Sequence, residues 1–514
     1  MPEISFSLNG TAVVASDDGC SLLEALRDQL RVHSVKDGCS PQGQCGCCTV
    51  WVDGAPRVAC VTPLARVRDR SVTTIEGLDA EIANEWGTAL CNSGGSQCGF
   101  CTPGIVMRLE AARAGSGGQL TDQQFDQAML AHLCRCTGWQ TIREAASTIG
   151  ASTQVAVRRV QHDAEHRALL EGGTAQLVHP DVALGRVAFA DDLAPAGSLV
   201  AMRSADGEWV VGETANEVRR RSGKVQGRRT TESLSWPVPA PAGNWDRVLQ
   251  TTWVEPAYLE PDASWCVPGG EPVSVVRNGG AFGGKADSAV LHEARRLADE
   301  HGRPVRVLYS REDVVRLGPK RPPLAVGIRS DRSGVVHVVR TPGIADAIRQ
   351  AAPTIEVVEV DVAGPPTSSR LRAAGWGEVA VALASLGGSD EVVAPNGARA
   401  AAKIDDDGAV QVWVSAGEVL DEVVLRSYCI GAAHMALGWV RREGLVVDAM
   451  GEVHDLTIRS FGVLRAVDTP SIAVHVERDN RPAVNGSDAV FAAVAAAAWR
   501  AVGFPPNWPL RHSE

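Results

Sequence analysis

Aromatic residues are scarce in this 514-residue chain, at 5% of the total, and only 3 are tyrosines against 13 tryptophans. Basic charge is also in deficit. Fifty Lys and Arg against 61 Asp and Glu leave a formal net charge of −11, which argues against a nucleic-acid surface. The one basic patch, Arg219–Arg221 with Arg228 and Arg229, has no interleaved aromatics and reads as a subunit contact or a solvent face. The longest small-apolar stretch, Ala489–Trp499, is too short to cross a bilayer. The opening MPEISFSLNG lacks the basic start and apolar stretch of a signal peptide, so a cytoplasmic chain with no membrane partner is expected. With 45% hydrophobic and 22% charged residues the composition is globular, and extended disorder is excluded. There is no internal repeat, and Ala492–Ala498 is the sole low-complexity tract, read as a buried helix. The length implies about three or four domains.

What is present is patterned cysteine. Of thirteen in all, eight fall into two groups in the first 136 residues: Cys39, Cys45, Cys48 and Cys60, then Cys98, Cys101, Cys134 and Cys136. Clustered thiols without an export signal point to metal ligation rather than disulfides. Each group supplies the four thiolates of a [2Fe–2S] cluster, and the first comes close to the plant-type C-x4-C-x2-C…C run. A four-cysteine zinc site is the alternative, but zinc ribbons pair two C-x2-4-C hooks, whereas Cys60 stands alone after eleven residues. Gly38, Gly43 and Gly46 let backbone amides approach cluster sulfurs in the first loop. Cys47 is expected to point away from the cluster, and Cys20, Cys91, Cys266 and Cys429 to be buried small hydrophobes.

Local patterns place these groups. Alternating Ile4, Phe6 and Leu8, the Asn9-Gly10 turn, and Thr49–Val52 before Asp53-Gly54 predict a small mixed β domain over 1–78. Residues 79–150 read as helical, with Thr102-Pro103 as an N-cap and first turn, a Thr121/Gln124 capping box, and a further helix over Gln140–Thr148. Both cysteine pairs then sit at helix ends, where free N–H groups stabilise thiolate charge. Residues 151–180 read as a polar linker, and 181–514 as mixed strands and helices. The linker holds His162, Glu165 and His166 in an H-x-x-E-H arrangement, expected to be a solvated helix rather than a metal site.

Further on, Val273–Val276 is predicted as a strand, Gly279–Gly284 as a loop and Ala286–His301 as a helix. The string GGAFGGKA satisfies G-x4-G-K, so a phosphate-binding loop has to be weighed. Ala286 follows Lys285 where a Mg²⁺-binding hydroxyl belongs, which counts against it.

GCSPQGQCGCCTV, Cys60, QCGFCTPG and CRCTGW, in this order, resemble the two-cluster module of the xanthine dehydrogenase and aldehyde oxidase family of molybdenum hydroxylases. The resemblance implies an α+β chain: a ferredoxin-like β-grasp domain, a four-helix [2Fe–2S] domain, and a compressed molybdopterin-binding-like region. It implies that the first cluster faces a flavin and the second a molybdopterin, with Gln97 and Cys136 hydrogen-bonding the pterin. RNGGAFGGK is similar to the family's molybdenum-site loop, which places Gly280, Ala281 and Phe282 beside the metal. Arg372-Ala373-Ala374-Gly375 is similar to its Arg-Gly-x-Gly turn. GRVAFADDL, EPAYLEPDASW and RPVRVLYSRED agree.

Hydroxylation of an aldehyde or N-heterocycle with water as oxygen source is the implied activity, on a small-molecule substrate. No flavin domain is evident, so a flavin-binding subunit is implied, with a further molybdenum subunit as an additional partner. The departures are specific. Cys39 and Cys45 enclose five residues instead of four, the stretch from Trp265 to Gly279 is short, and a metal-approaching glutamine has no counterpart. Where the family carries a glutamate base, this chain reads Asn485-Gly486-Ser487-Asp488. Asp488 is either a shorter base or the N-cap of the next helix. The main alternative is an electron-transfer subunit with a degenerate molybdopterin region; a nucleotide-binding redox sensor is the third.

Overall fold

The computed structural model describes residues 2–150, 159–224, 230–276, 278–387 and 391–510. The N-terminal sheet has five strands. Glu3–Leu8 buries Ile4, Phe6 and Leu8 on one face, turns at Asn9-Gly10 with φ of 51° and 82°, and pairs antiparallel with Thr11–Ser16. Positive φ at both turn residues is what a two-residue hairpin loop demands. The other edge of Glu3–Leu8 runs parallel to Ser71–Thr73, which pairs with Thr49–Val52, and that strand with Ala55–Val58.

Four helices follow: α1 (Ala80–Ser93), α2 (Thr102–Ser116), α3 (Asp122–Met129) and α4 (Gln140–Thr148). The Thr121/Gln124 capping box forms as expected. The cap of α2 does not, because Cys101 takes the N-cap and Thr102 the first helical position. That one-residue change puts a candidate ligand thiol directly at the helix N-terminus.

The stretch expected as a linker contains α5 (Gln161–Gly172). Its polar composition hides a buried pair. Arg167 and Glu171 have side chains 0% exposed, and Arg167 donates to the carbonyls of Glu418, Val419 and Val484. The opposite face behaves as the sequence implied, with His162 86% exposed.

The C-terminal half holds three four-stranded sheets. Helix α6 spans Val290–His301, starting four residues later than expected. No strand forms at Val273–Val276. A single rung, Val273 N to Trp265 O, follows the Gly269-Gly270 turn, and positive φ at Asn278, Gly279 and Gly280 then bends the chain toward the cysteines. Helix α7 (Glu422–Arg441) is long and apolar enough to cross a membrane, but it is a buried core helix here. It packs along α8 (Ser487–Ala501), whose alanine run allows the close approach.

Buried ion pairs fasten the two halves together. Asp192 accepts from Lys36 Nζ at 2.6 Å and Arg27 Nη2 at 2.7 Å. Arg219, from the patch read as a subunit contact or a solvent face, bridges Glu24 at 2.6 Å and Asp37 at 2.8 Å within the chain. Arg228 and Arg229 lie outside the described residues.

Candidate functional site

The first four thiols form a buried chain. Cys39 faces Cys45 and Cys60, and Cys60 faces Cys48. Cys39 also accepts backbone N–H groups from Gln42 at 3.1 Å and Gln44 at 3.5 Å. Contacts with Cys45 and Cys60, helped by those N–H groups against the cost of burial, hold its thiol well below the ordinary range. Positive φ at Gly43 (70°) and Gly46 (74°) allows the loop to fold back on its own sulfur.

The second group pairs across two sequence segments, with Cys98 and Cys136 Sγ 3.7 Å apart and Cys101 facing Cys134. Cys134 lies 3.0 Å from Thr137 Oγ1, and the Cys101 contact, opposing burial, lowers its thiol to about 7. Among the described residues no three His, Cys, Asp or Glu side chains converge on one point as a mononuclear ion requires. Four largely buried thiols in each group, in mutual contact, fit [2Fe–2S] clusters, in which each iron takes two cysteines. All thirteen cysteines are free.

The two groups stand back to back. A methyl group added at Gly104, in the first turn of α2, would lie 2.4 Å from Gly46 O and 2.8 Å from Cys47 O. Cys47 does not point away as expected; its thiol lies against Cys45 and within electrostatic reach of Cys134.

The glycine loop lands on the second group. Gly280, at φ 85°, is so close that an added methyl would stand 2.8 Å from Cys98 Cβ, and Asn278 Nδ2 donates to Cys98 O at 2.8 Å. Lys285 is 1% exposed and its Nζ lies 2.6 Å from Glu260, facing a small void lined also by Cys98, Cys101 and Cys136. The phosphate-loop reading fails here, because the lysine is buried and already paired.

Phe282, Arg372 and Asp488, far apart in sequence, do come together. Arg372 lies over the Phe282 ring at 5.4 Å, approaches Asp488 Oδ1 at 3.2 Å and donates to Ser487 Oγ at 3.2 Å. Ala281 is buried beside them in sequence. Asp488 does not cap α8. Asn485 Oδ1 accepts from Asp488 N at 3.0 Å, while Glu171 of α5 accepts from Gly486 N and Ser487 N. Burial raises the Asp488 carboxyl and Arg372 only partly offsets it.

Around them lie residues the sequence did not single out: Glu255 paired with Lys320 at 2.9 Å, Arg321 with Glu378 at 2.6 Å, and Trp439 with its Nε1 unpartnered. Arg135, between candidate ligands Cys134 and Cys136 in sequence, joins Glu443. Glu443 sits in Arg441-Arg442-Glu443-Gly444, which reads as an exposed helix end, so no sequence signal marked it.

Gln97 and Cys136, the expected pterin contacts, are occupied by the chain itself. Gln97 Nε2 donates to Cys136 O at 3.0 Å and Ser427 Oγ at 2.9 Å, and a methyl at Gly431 of α7 would stand 1.8 Å from Cys136 O. The cavity beside Phe282 and Arg372 measures about 40 Å³, far below the roughly 300–1,000 Å³ of ligand sites. As folded, Gln97 Nε2 and Cys136 O are engaged within the chain, and the separate cavity at Phe282 and Arg372 is small.

A family model described as a [2Fe-2S] binding domain matches residues 74–147. Caffeine dehydrogenase subunit gamma of Pseudomonas sp. (strain CBB1) is 34% identical over 157 residues, 30% of this chain and 93% of that protein. Isoquinoline 1-oxidoreductase subunit alpha of Brevundimonas diminuta is 38% identical over 144 residues, 28% and 93% respectively. The match to xanthine dehydrogenase of Drosophila pseudoobscura pseudoobscura, 38% identical over 160 residues, spans only 12% of that longer protein. Aldehyde oxidoreductase of Desulfovibrio gigas superposes with a TM-score of 0.70 at 13% identity, covering 99% of both chains, so the likeness of fold runs through the C-terminal half.

Proposed function

Because the chain belongs to the molybdenum hydroxylase family of iron–sulfur oxidoreductases, we propose that it relays electrons from the hydroxylation of an aldehyde or N-heterocycle to a flavin-binding partner. The path runs through the Cys98 group and then the Cys39 group. The observation that carries this proposal is the backbone contact of Gly104 with Gly46 and Cys47, which sets two four-thiol groups back to back. A bound [2Fe–2S] cluster takes up and returns one electron. The chain's own residues do the rest. Eight thiols hold the metals, and Gln42 and Gln44 donate N–H groups to Cys39. The paired Lys285–Glu260 and Arg135–Glu443 neutralise one another next to the second group.

The family's cofactors are two [2Fe–2S] clusters and a molybdenum cofactor. The clusters are assigned to this chain. Because Gln97 is engaged by Cys136 O and Ser427 Oγ and the cavity at Phe282 and Arg372 is only about 40 Å³, the molybdenum cofactor of the family is assigned to a pocket completed by a further subunit. That two of the matched relatives are named as subunits supports this. It favours the electron-transfer reading of the compressed C-terminal half over catalysis by this chain alone. In this proposal residues 1–78 form a ferredoxin-like β-grasp domain, 79–150 the helical cluster domain and 181–514 a molybdopterin-binding-like region, in a cytoplasmic enzyme.

The test is metal content and electron paramagnetic resonance of anaerobically purified protein from a host that makes the molybdenum cofactor. About four iron per chain, from two two-iron clusters, with two distinct signals on reduction, is the expected result. Zinc in place of iron overturns the proposal.

A further inference from the structure

The loop between Cys39 and Cys45 is one residue longer than the family pattern, and a longer loop is harder to hold in one shape. The C-terminal half supplies the hold. Gln42 Nε2 donates to Leu456 O at 2.9 Å, and Ile458 N donates back to Gln42 Oε1 at 3.2 Å. Arg459 N reaches Gln44 Oε1 at 3.4 Å and Arg459 Nε reaches Gln44 O at 2.9 Å. Its Nη2 donates to Leu130 O at 2.9 Å, tying the same turn to the end of α3. Thr457 and Ile458 are buried under these bonds, and Ser460 N closes the turn on Thr457 O at 2.9 Å.

The two clamped residues, Gln42 and Gln44, are also the two whose backbone N–H groups point at Cys39 Sγ. A side chain fixed on one side orients the amide on the other. Arg459 moreover brings a permanent cation close enough to interact with Cys39 and Cys45. Hydrogen bonds to cluster sulfurs and nearby positive charge both favour the reduced, more negative state of a cluster.

We propose that Gln42 and Arg459 are positioning residues for the first cluster: the turn at Leu456–Ser460 holds the lengthened loop so that two amides face Cys39, and Arg459 adds fixed positive charge. Together they raise that cluster's reduction potential above what the N-terminal domain would give alone, which draws electrons onward from the second cluster. The inference rests on the assignment of a [2Fe–2S] cluster to Cys39, Cys45, Cys48 and Cys60.

The experiment is a redox titration of the full chain followed by electron paramagnetic resonance. Signals are assigned with Cys101→Ser, which removes the second cluster. In Arg459→Gln and in Gln42→Leu the first cluster's midpoint is expected to move to more negative potential while the second stays in place. Arg459→Lys, which keeps the charge and loses the forked bonds, falls between Arg459→Gln and wild type. An unmoved first-cluster midpoint in Arg459→Gln with iron retained overturns the inference, as does an equal shift of both clusters. If Arg459→Gln loses iron, Arg459→Lys decides alone, and an unshifted midpoint there overturns the inference. Wild-type protein without iron would instead overturn the cluster assignment itself.

Discussion

Arg135 and Glu443 meet through two parallel hydrogen bonds of 2.6 Å, Nη1 to Oε1 and Nη2 to Oε2, with side chains only 6% and 2% exposed. Arg135 lies in sequence between two candidate ligands of the second group, Cys134 and Cys136, and its Nε also donates to Pro256 O at 3.1 Å. Glu443 is therefore the charge that satisfies this buried cation. Removing one partner of such a pair costs about 3–5 kcal/mol, because the other charge is left buried alone. Glu443→Ala is expected to lower stability by that order and to shed iron from the second cluster first, read by denaturant unfolding and by loss of one of two resonance signals. Retention of both signals with wild-type stability would sink this account.

Asp192 faces the opposite hazard. Burial by itself would raise its carboxyl, but Arg27 and then Lys36 outweigh it and hold the group low. A depressed carboxylate contributes stability that is present above its unfolded value, about 3.9, and is lost as pH falls through the folded value. Acid unfolding is expected below about pH 4, and Asp192→Asn should cost roughly 3–5 kcal/mol at neutral pH by stranding two cations. Unfolding curves at pH 7 and pH 3.5 give both values.

Glu260 and Asp37 shift the other way. Burial pushes Glu260 up to about 7 despite Lys285, and Asp37 up to about 6 despite Arg219. The folded state binds these protons more tightly, so their contribution is complete below the unfolded values, about 4, and is lost as pH rises through 6 and 7. Melting temperature is expected to decline between pH 4.5 and 8, and Glu260→Gln to flatten much of that slope. A profile for the variant that overlays the wild type would exclude Glu260 as the source.

The H-x-x-E-H segment is a solvated helix face. His162 is 86% exposed and its ring lies 6.1 Å from that of His166. Replacing both by alanine is expected to change stability by less than about 0.5 kcal/mol and to leave metal content unaltered. Arg167→Ala, one residue further, removes a side chain buried with Glu171 and is expected to cost several times more. The two variants measured side by side separate the faces of one short helix.

Much of the N-terminal third was legible because its signals are local. Alternation in Ile4, Phe6 and Leu8, the Asn9-Gly10 turn and the Thr121/Gln124 box each depend on residues within a few positions. The glycine loop was less legible. The same GGAFGGK string suits a phosphate, a metal site or a tight turn; the burial of Lys285 against Glu260 removed the first, and the approach of Gly280 to Cys98 brought the loop onto the second group. The buried face of α5 was not legible, because Arg167 and Glu171 look like surface residues until three distant carbonyls and the start of α8 are brought to them. The cap reading of Asp488 fails because α8 already begins at Ser487, with Asn485 Oδ1 on Asp488 N and Glu171, more than 300 residues earlier, on Gly486 N and Ser487 N.

The sequence by itself determined the ligand chemistry. Eight thiols at fixed spacings supply the candidate ligands of two iron–sulfur sites, because four soft thiolates per group are the ligand set of a [2Fe–2S] cluster. Tertiary structure alone decided which groups stand next to those sites: Arg459 beside Cys39, Gly280 on Cys98, and α7 against the carbonyl that was to meet a pterin. Such contacts depend on long-range packing of buried backbone and paired charge, which leaves no periodic mark in the chain. The ligands are therefore written in the sequence, while their potential, their coverage and the room beside them are set by the fold.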